Sequence, residues 1–429
     1  MSVNTPTLKP VSSSLDRMGM EVGFSTLSSG AQHFHISAPD PHSSLVLAVP
    51  IAINDNSGVA HVLEHLLLTG ETEPGVGSLF FRTRASSNAV DMNATTNSRY
   101  LAVHFTCDSA EEYSLLLHIF TRALFKPDWN NDQIAREIAT ITNEMEGALS
   151  DSSFYWQLTT YQSLFVEGSG QYNPGGDPSC IAEVNHNGLL RFWKDHFAPN
   201  NLIAVSYGSQ SGELISEQLS LNLSQFNHSG GEKNIVPSRT TEAPRTLNVI
   251  DSSGRNLVGH SASALMLGSN PSEGAYFEIA LINSFFNQYG GEILESLKQN
   301  GFQLAVPPSL KQIDGDSFLY VFFDRNGLTG SKNVWRQVAD ICEAIIKSLS
   351  KTELIQVVHE ALENHFTLGN EKFGTGVAAA FELLNATCGS VTGSREQNSA
   401  IDIEAQIEKY QNDSSWISLI DKNLSLIHI

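Results

Sequence analysis

Residues 58–70 read GVAHVLEHLLLTG, and this stretch decides the fold. Two histidines and a glutamate, His61, Glu64 and His65, sit among Val59, Val62, Leu63, Leu66, Leu67 and Leu68. Helical geometry sorts them. With His61 at zero and ~100° per residue, Glu64 falls at about 300° and His65 at about 40°. The three polar side chains then share one face. Histidines at i and i+4 can hold one metal ion, and a glutamate on that face can polarise water at the metal. Polar residues at a core edge would give the same pattern, but burying three ionisable groups in so apolar a run is costly without a metal or partners.

The order His-x-x-Glu-His reverses the common zincin order and is the inverzincin signature. Two histidines need a third protein ligand. The stretch NNDQIAREIATITNEMEGAL (130–149) reads as a helix with Ile134, Ile138, Ile141 and Met145 on one stripe. Glu137 and Glu144 border that stripe two turns apart, roughly 10 Å along the axis. One would ligate the metal and the other would orient a ligand. A later stretch, VHEALENHF, carries His359, Glu360, Glu363 and His365. Its second histidine comes six positions after the first, on the wrong face, so it reads as a solvated helix.

The chain has 429 residues, 41% hydrophobic and 17% charged, which describes a globular protein of two or three domains. Its formal net charge of −21 argues against nucleic acid or an anionic membrane as partner. Acidic groups lining a binding surface would favour neutral or basic ligands. Cys107, Cys180, Cys342 and Cys388 form no CxxC pair and read as buried reduced thiols of an intracellular protein, cytoplasmic or mitochondrial. The first residues have no apolar signal core, and only Lys9 and Arg17 are basic there. No stretch is apolar enough to span a membrane.

Strand and helix alternate in two halves. Strands are expected at 43–53, 99–108 and 200–208, and helices at 59–69, 111–125, 130–149, 154–165 and 187–197. The region 209–244 is polar and reads as linker. Beyond it, RTLNVIDSS, HSASALMLGS and 317–324 read as strands. Residues 273–301 read as a helix with a Gly break, and helices follow at 331–349 and 352–366. The expected domains are an N-terminal extension (1–30), a metal-binding domain (31–210), a linker (211–244), a second domain without metal motif (245–423) and a foreign tail (424–429).

GVAHVLEHLLLTGE resembles the pitrilysin/insulysin family of zinc metallopeptidases, and EIATITNEMEG resembles its second signature in the presequence-protease branch. The resemblance implies Zn2+ held by His61, His65 and Glu144, with Glu64 as general base and Glu137 as accessory catalytic glutamate. MNATTNSRY (92–100) resembles the edge strand that binds substrate backbone, which implies Asn93 and Ala94 as substrate contacts. Thr95 stands where the family usually has an aromatic. Residues 172–208 resemble the end of the first family domain. The implied fold is α+β: two homologous α/β domains with mainly antiparallel sheets flanked by helices, as in LuxS and the mitochondrial processing peptidase.

Full-length family members have four such domains, or two chains of two, and the far half supplies an Arg/Tyr pair that stabilises the reacting carbonyl. No such half is found here. The last six residues, LSLIHI, resemble a read-through artefact of transcript assembly. The chain is therefore expected to be the N-terminal half of a larger zinc endopeptidase. It would act on a peptide substrate, with a C-terminal half or second subunit as partner. The rival expectation is a non-catalytic scaffold subunit of the same fold, and a third is a metal hydrolase acting on other substrates. Subunits of the family in respiratory complexes have lost the motif, which is intact here.

Overall fold

The computed structural model describes residues 7–11, 13, 15, 19–70, 83, 89, 91–126, 129–226, 239–240, 261–269, 273–304, 306–313, 316–323, 334–366 and 374–389. The expected strand at 245–253 and the tail 424–429 lie outside them. The chain forms two compact units. One comprises Met1–Leu149, Gly168–Pro237 and Gly369–Arg395, the other Ser150–Glu167, Ser238–Leu368 and Glu396–Ile429.

The first unit is built on a sheet of seven strands among the described residues: β1 (Lys9–Val11), β2 (Glu21–Thr26), β3 (Gln32–Ser37), β4 (Ser43–Pro50), β5 (Asp91–Thr96), β6 (Tyr100–Cys107) and β8 (Ile203–Gly208). Their order is β1-β2-β3-β8-β4-β6-β5. All neighbours are antiparallel except β3 and β8. β4 and β6 are buried along their whole length, as their continuous apolar runs require. β5 is left at one edge, in register with β6 through Asn93–His104 and Ala94–Val103.

Helices α1 (Val59–Thr69), α2 (Ala110–Phe125), α3 (Asn131–Ser150), the single turn α5 (Pro178–Ile181), α6 (His186–His196) and α7 (Gly212–Leu223) also belong to this unit. Its core includes Leu47, Val49, Leu63, Leu66, Phe105 and Phe120. α7 corrects the linker reading, because residues 212–223 are helical. Ile215, Leu219 and Leu223 recur every four positions and are buried, and Ser211 caps the start by accepting from the Leu214 amide. The Ser and Asn residues around them masked that stripe in the sequence.

A further helix, α11 (Thr375–Gly389), lies on β4, β8 and β6. It runs TGVAAAF, and its small residues permit close approach to the sheet: a Cβ on Gly376 would come within 2.5 Å of Ser44 Oγ and Tyr207. Phe381 stacks on Tyr100 with ring centres 6.2 Å apart, and the Tyr100 hydroxyl donates to Asn385 Oδ1 at 2.9 Å.

The second unit has an antiparallel sheet β10-β12-β11, formed by β10 (Ser261–Ser269), β11 (Ser309–Ile313) and β12 (Asp316–Phe323). It includes α4 (Ser152–Ser163), the short strands β7 (Phe165–Glu167) and β9 (Arg239–Thr240), and helices α8 (Glu273–Gln299), α9 (Val334–Ser348) and α10 (Lys351–Phe366). Tyr161 of α4 packs on Phe318. The expected Gly break is absent, since α8 runs unbroken through Gly290 and Gly291. Buried Ile282, Phe285, Phe286, Ile293 and Leu297 carry one apolar stripe across the pair, and that packing offsets the weak helix propensity of glycine. Both units combine helices with antiparallel sheet, so the class is α+β.

Candidate metal centre

α1 is amphipathic despite its apolar composition. Ala60, Val62, Leu63, Leu66 and Leu67 are buried, on the arc opposite His61, Glu64 and His65. The helix starts at Gly58, whose φ of 67° is left-handed. A Cβ there would lie 2.9 Å from the Gly175 carbonyl oxygen and from the Gly176 Cα, so only glycine fits. α3 brings Glu137 and Glu144 to the same site. Ile134, Ile141 and Met145 beside them are buried.

His61, His65 and Glu144 each offer a ligand atom, all within 4.8 Å of one another. His61 Nε2 lies 3.9 Å from one Glu144 oxygen and His65 Nε2 lies 3.7 Å from the other. These gaps are too long for hydrogen bonds. The other ring nitrogens are engaged. His61 Nδ1–H donates to the Gly175 carbonyl at 3.2 Å, and His65 Nδ1 lies 3.1 Å from Glu137 Oε2. A carbonyl only accepts, so Nδ1 of His61 carries the hydrogen and neutral His61 has its lone pair on Nε2. Glu137 imposes the same tautomer on His65. With both histidines neutral, two imidazole lone pairs and a carboxylate converge there, a donor set suited to a divalent cation such as zinc.

The two glutamates divide by surroundings. Glu137 is largely covered, with 14% of its side chain exposed, and is bonded to His65; Glu144 is 53% exposed and faces both histidines. Glu64 shares the face of α1 and is partly buried. Asn93 and Ala94 lie on β5, which packs against α1. Asn93 is exposed and Ala94 buried, and the Ala94 amide donates to Asn93 Oδ1 at 2.9 Å. Of the later His/Glu cluster, the side chains of Glu363 and His365 lie outside the described residues. His359 is exposed there, and Glu360 accepts from Gln288 Nε2.

The four cysteines form no disulfide with one another. Cys107 and Cys342 are buried, and burial pushes both thiols up to about 12, which makes them inert packing groups. Cys180 and Cys388 are only partly covered, against the expectation that all four are buried. The sequence reading missed the Gly175 carbonyl. Its only signal was the paired glycine in YNPGGDP (172–178), a backbone that must approach something closely.

Comparison with known proteins now adds a class. Residues 51–156 match the family described as Insulinase (Peptidase family M16), so the chain carries a domain of that family. The mitochondrial presequence protease of Candida albicans is 28% identical over 200 residues, covering 42% of this chain and 19% of that protein. The protein of the same description from Xenopus tropicalis is 24% identical over 241 residues, 51% of this chain and 23% of that one. The aligned part is thus under a quarter of these relatives' length. Among solved structures, the peptidase M16 inactive domain of Pseudomonas fluorescens superposes with a TM-score of 0.66 at 13% identity, over 94% of both chains. The first half of the periplasmic protease PqqL of Escherichia coli gives 0.62 at 16% identity, over 94% of this chain and 89% of that one. These likenesses show the fold. No helix among the described residues is long and apolar enough to cross a membrane.

Proposed function

We propose that this chain is the metal-bearing half of a zinc endopeptidase, with His61, His65 and Glu144 as ligands. The observation that carries this reading is the convergence of ligand atoms of His61, His65 and Glu144 within 4.8 Å of one another, with both histidines held through Nδ1. Zinc held there would polarise water and the carbonyl of a peptide bond. Glu64 takes the proton of the attacking water and returns it to the leaving amine. Glu137 keeps His65 oriented. A peptide adds as a strand along β5, which has no strand on its outer side among the described residues. A peptide carbonyl there replaces Asn93 Oδ1 as partner of the Ala94 amide. Main-chain pairing of this kind tolerates many sequences.

The proposed partner is a matching second half. The same fold covers 99% of this chain but 46% of whole PqqL. A second half would enclose the substrate and donate to the carbonyl oxygen. A single such donor is worth ~10²–10³ in turnover. The test combines metal analysis of the purified chain with digestion of a peptide library, alone and with a C-terminal half from a related protease. Zinc-dependent cleavage that rises at least ~100-fold with that half supports the reading. A metal-free chain, or one that binds zinc and cleaves nothing under either condition, favours the scaffold reading.

A further inference from the structure

The Gly175 carbonyl that fixes His61 sits in a turn with its own anchoring system. Asn173 holds the turn from within: its Oδ1 accepts the Gly175 amide at 3.0 Å, and its Nδ2 donates to the Gly176 carbonyl at 2.9 Å. The Gly176 amide donates back to the Asn173 carbonyl at 2.9 Å. Asn56, in the segment that leads into α1, clamps the turn from outside. Its Oδ1 accepts the Asn173 amide, and its carbonyl accepts the Asp177 amide, both at 2.8 Å.

Steric contacts key the same turn to both ligand-bearing helices. Gly176, at φ 88°, lies so close to Gly58 that a Cβ would come within 2.7 Å of the Gly58 Cα. A Cβ on Gly175 would lie 2.8 Å from the Met145 sulfur, one residue from Glu144 on α3. The turn thus touches the start of α1 and the middle of α3 while presenting one carbonyl to His61.

We infer that Asn173 is a positioning residue for the metal centre: it sets the Gly175 carbonyl and, through it, the tautomer and ring orientation of His61. This rests on the reading of His61 as a zinc ligand. The role needs a side chain that accepts and donates at once, which an amide does and a carboxylate does not. Asn173→Asp keeps the acceptor for Gly175 but turns a charged oxygen toward the Gly176 carbonyl. Both Asn173→Ala and Asn173→Asp should therefore misplace the turn.

The experiment has two readouts on the purified chain. Zinc affinity is measured by competition with a chelating dye. The His61 tautomer is measured in the metal-free protein by long-range 1H–15N correlation with 15N-histidine, assigned by the signal lost in His61→Ala. Asn185→Ala is the control, since Asn185 caps α6 by accepting the Gly188 amide and makes none of the hydrogen bonds that hold the 173–177 turn. The expected result is zinc affinity lower by roughly 10–100-fold in both Asn173 variants, as for other groups that orient ligands. His61 should lose its single Nδ1–H pattern in both, and Asn185→Ala should match the wild type. Wild-type affinity with an unchanged His61 pattern in Asn173→Ala would overturn the inference. So would an equal loss of affinity in Asn185→Ala, which would mark a general effect of destabilisation. If His61→Ala binds zinc as tightly as the wild type, the ligand reading fails instead, and the tautomer readout on the wild type and the Asn173 variants still decides whether Asn173 sets the ring.

Discussion

Glu137 Oε2 reaches His65 Nδ1 at 3.1 Å across 72 positions of sequence, joining the middle of α3 to the last turns of α1. In the proposed site Glu137 is thereby the partner of a ligand. Glu137→Gln keeps the size and an acceptor but loses the charge that faces His65 Nδ1. Zinc affinity should fall by roughly 10–100-fold, with the metal still retained at high zinc. Dye competition on the purified variant checks this, and complete loss of zinc would move Glu137 among the ligands.

Glu64 separates binding from chemistry. Glu64→Gln should keep the zinc content of the wild type, since its neighbours supply the donors. Peptide cleavage by the chain paired with a second half should drop by at least ~10², the low end for a lost general base. A Glu64→Gln protein as active as the wild type would remove it from the mechanism.

α11 completes the first unit, and Phe381 is its anchor, stacked on Tyr100 and edge-on to His104. Phe381→Ala should cost about 3–5 kcal/mol, the usual loss for a buried aromatic. Leu115→Ala, at a side chain 54% exposed, should change stability little. Urea unfolding compares them, and near-equal midpoints would show that α11 is dispensable.

The sequence made some of this legible and hid the rest for physical reasons. The face shared by His61, Glu64 and His65 follows from helical period alone, and so does the placement of Glu137 and Glu144 beside the Ile141 stripe. The strands with continuous apolar runs, at 43–50 and 100–107, stand out because both faces are buried. Three features were hidden. α7 disguises its apolar stripe among serines and asparagines. α4 and α11 each pack in a unit that sequence order alone does not assign them to, because long-range packing leaves no local pattern. The Gly175 carbonyl is backbone, and a backbone acceptor has no side chain to read.

A buried chain of hydrogen bonds makes stability depend on pH. His33 is fully buried, 2.7 Å from Ser216 Oγ and 2.8 Å from Ser206 Oγ, and Ser206 also meets His35. Burial, and then the neighbouring His35, push the His33 imidazole down from 6.5 to about 3. The folded state therefore holds His33 neutral where the unfolded state binds a proton. Its contribution is fully present above about pH 6.5 and is lost progressively as pH falls toward about 3. His35, lowered mainly by burial, acts in the same direction. Urea midpoints of the wild type should fall between pH 7 and pH 5, and His33→Gln should flatten that fall whatever its absolute stability. An identical slope in both proteins would show that His33 does not carry it.

The central claim is that His61, His65 and Glu144 together hold one zinc ion. The direct measurement is metal content by inductively coupled plasma mass spectrometry on protein purified in zinc and exhaustively dialysed. It is made for the wild type and for His61→Ala, His65→Ala and Glu144→Gln, each shown to be folded by circular dichroism. The account predicts about one zinc per wild-type chain, the number a single three-ligand site holds, and a marked loss in each folded variant. Full zinc occupancy in folded His65→Ala, or a folded wild type without zinc, would contradict it.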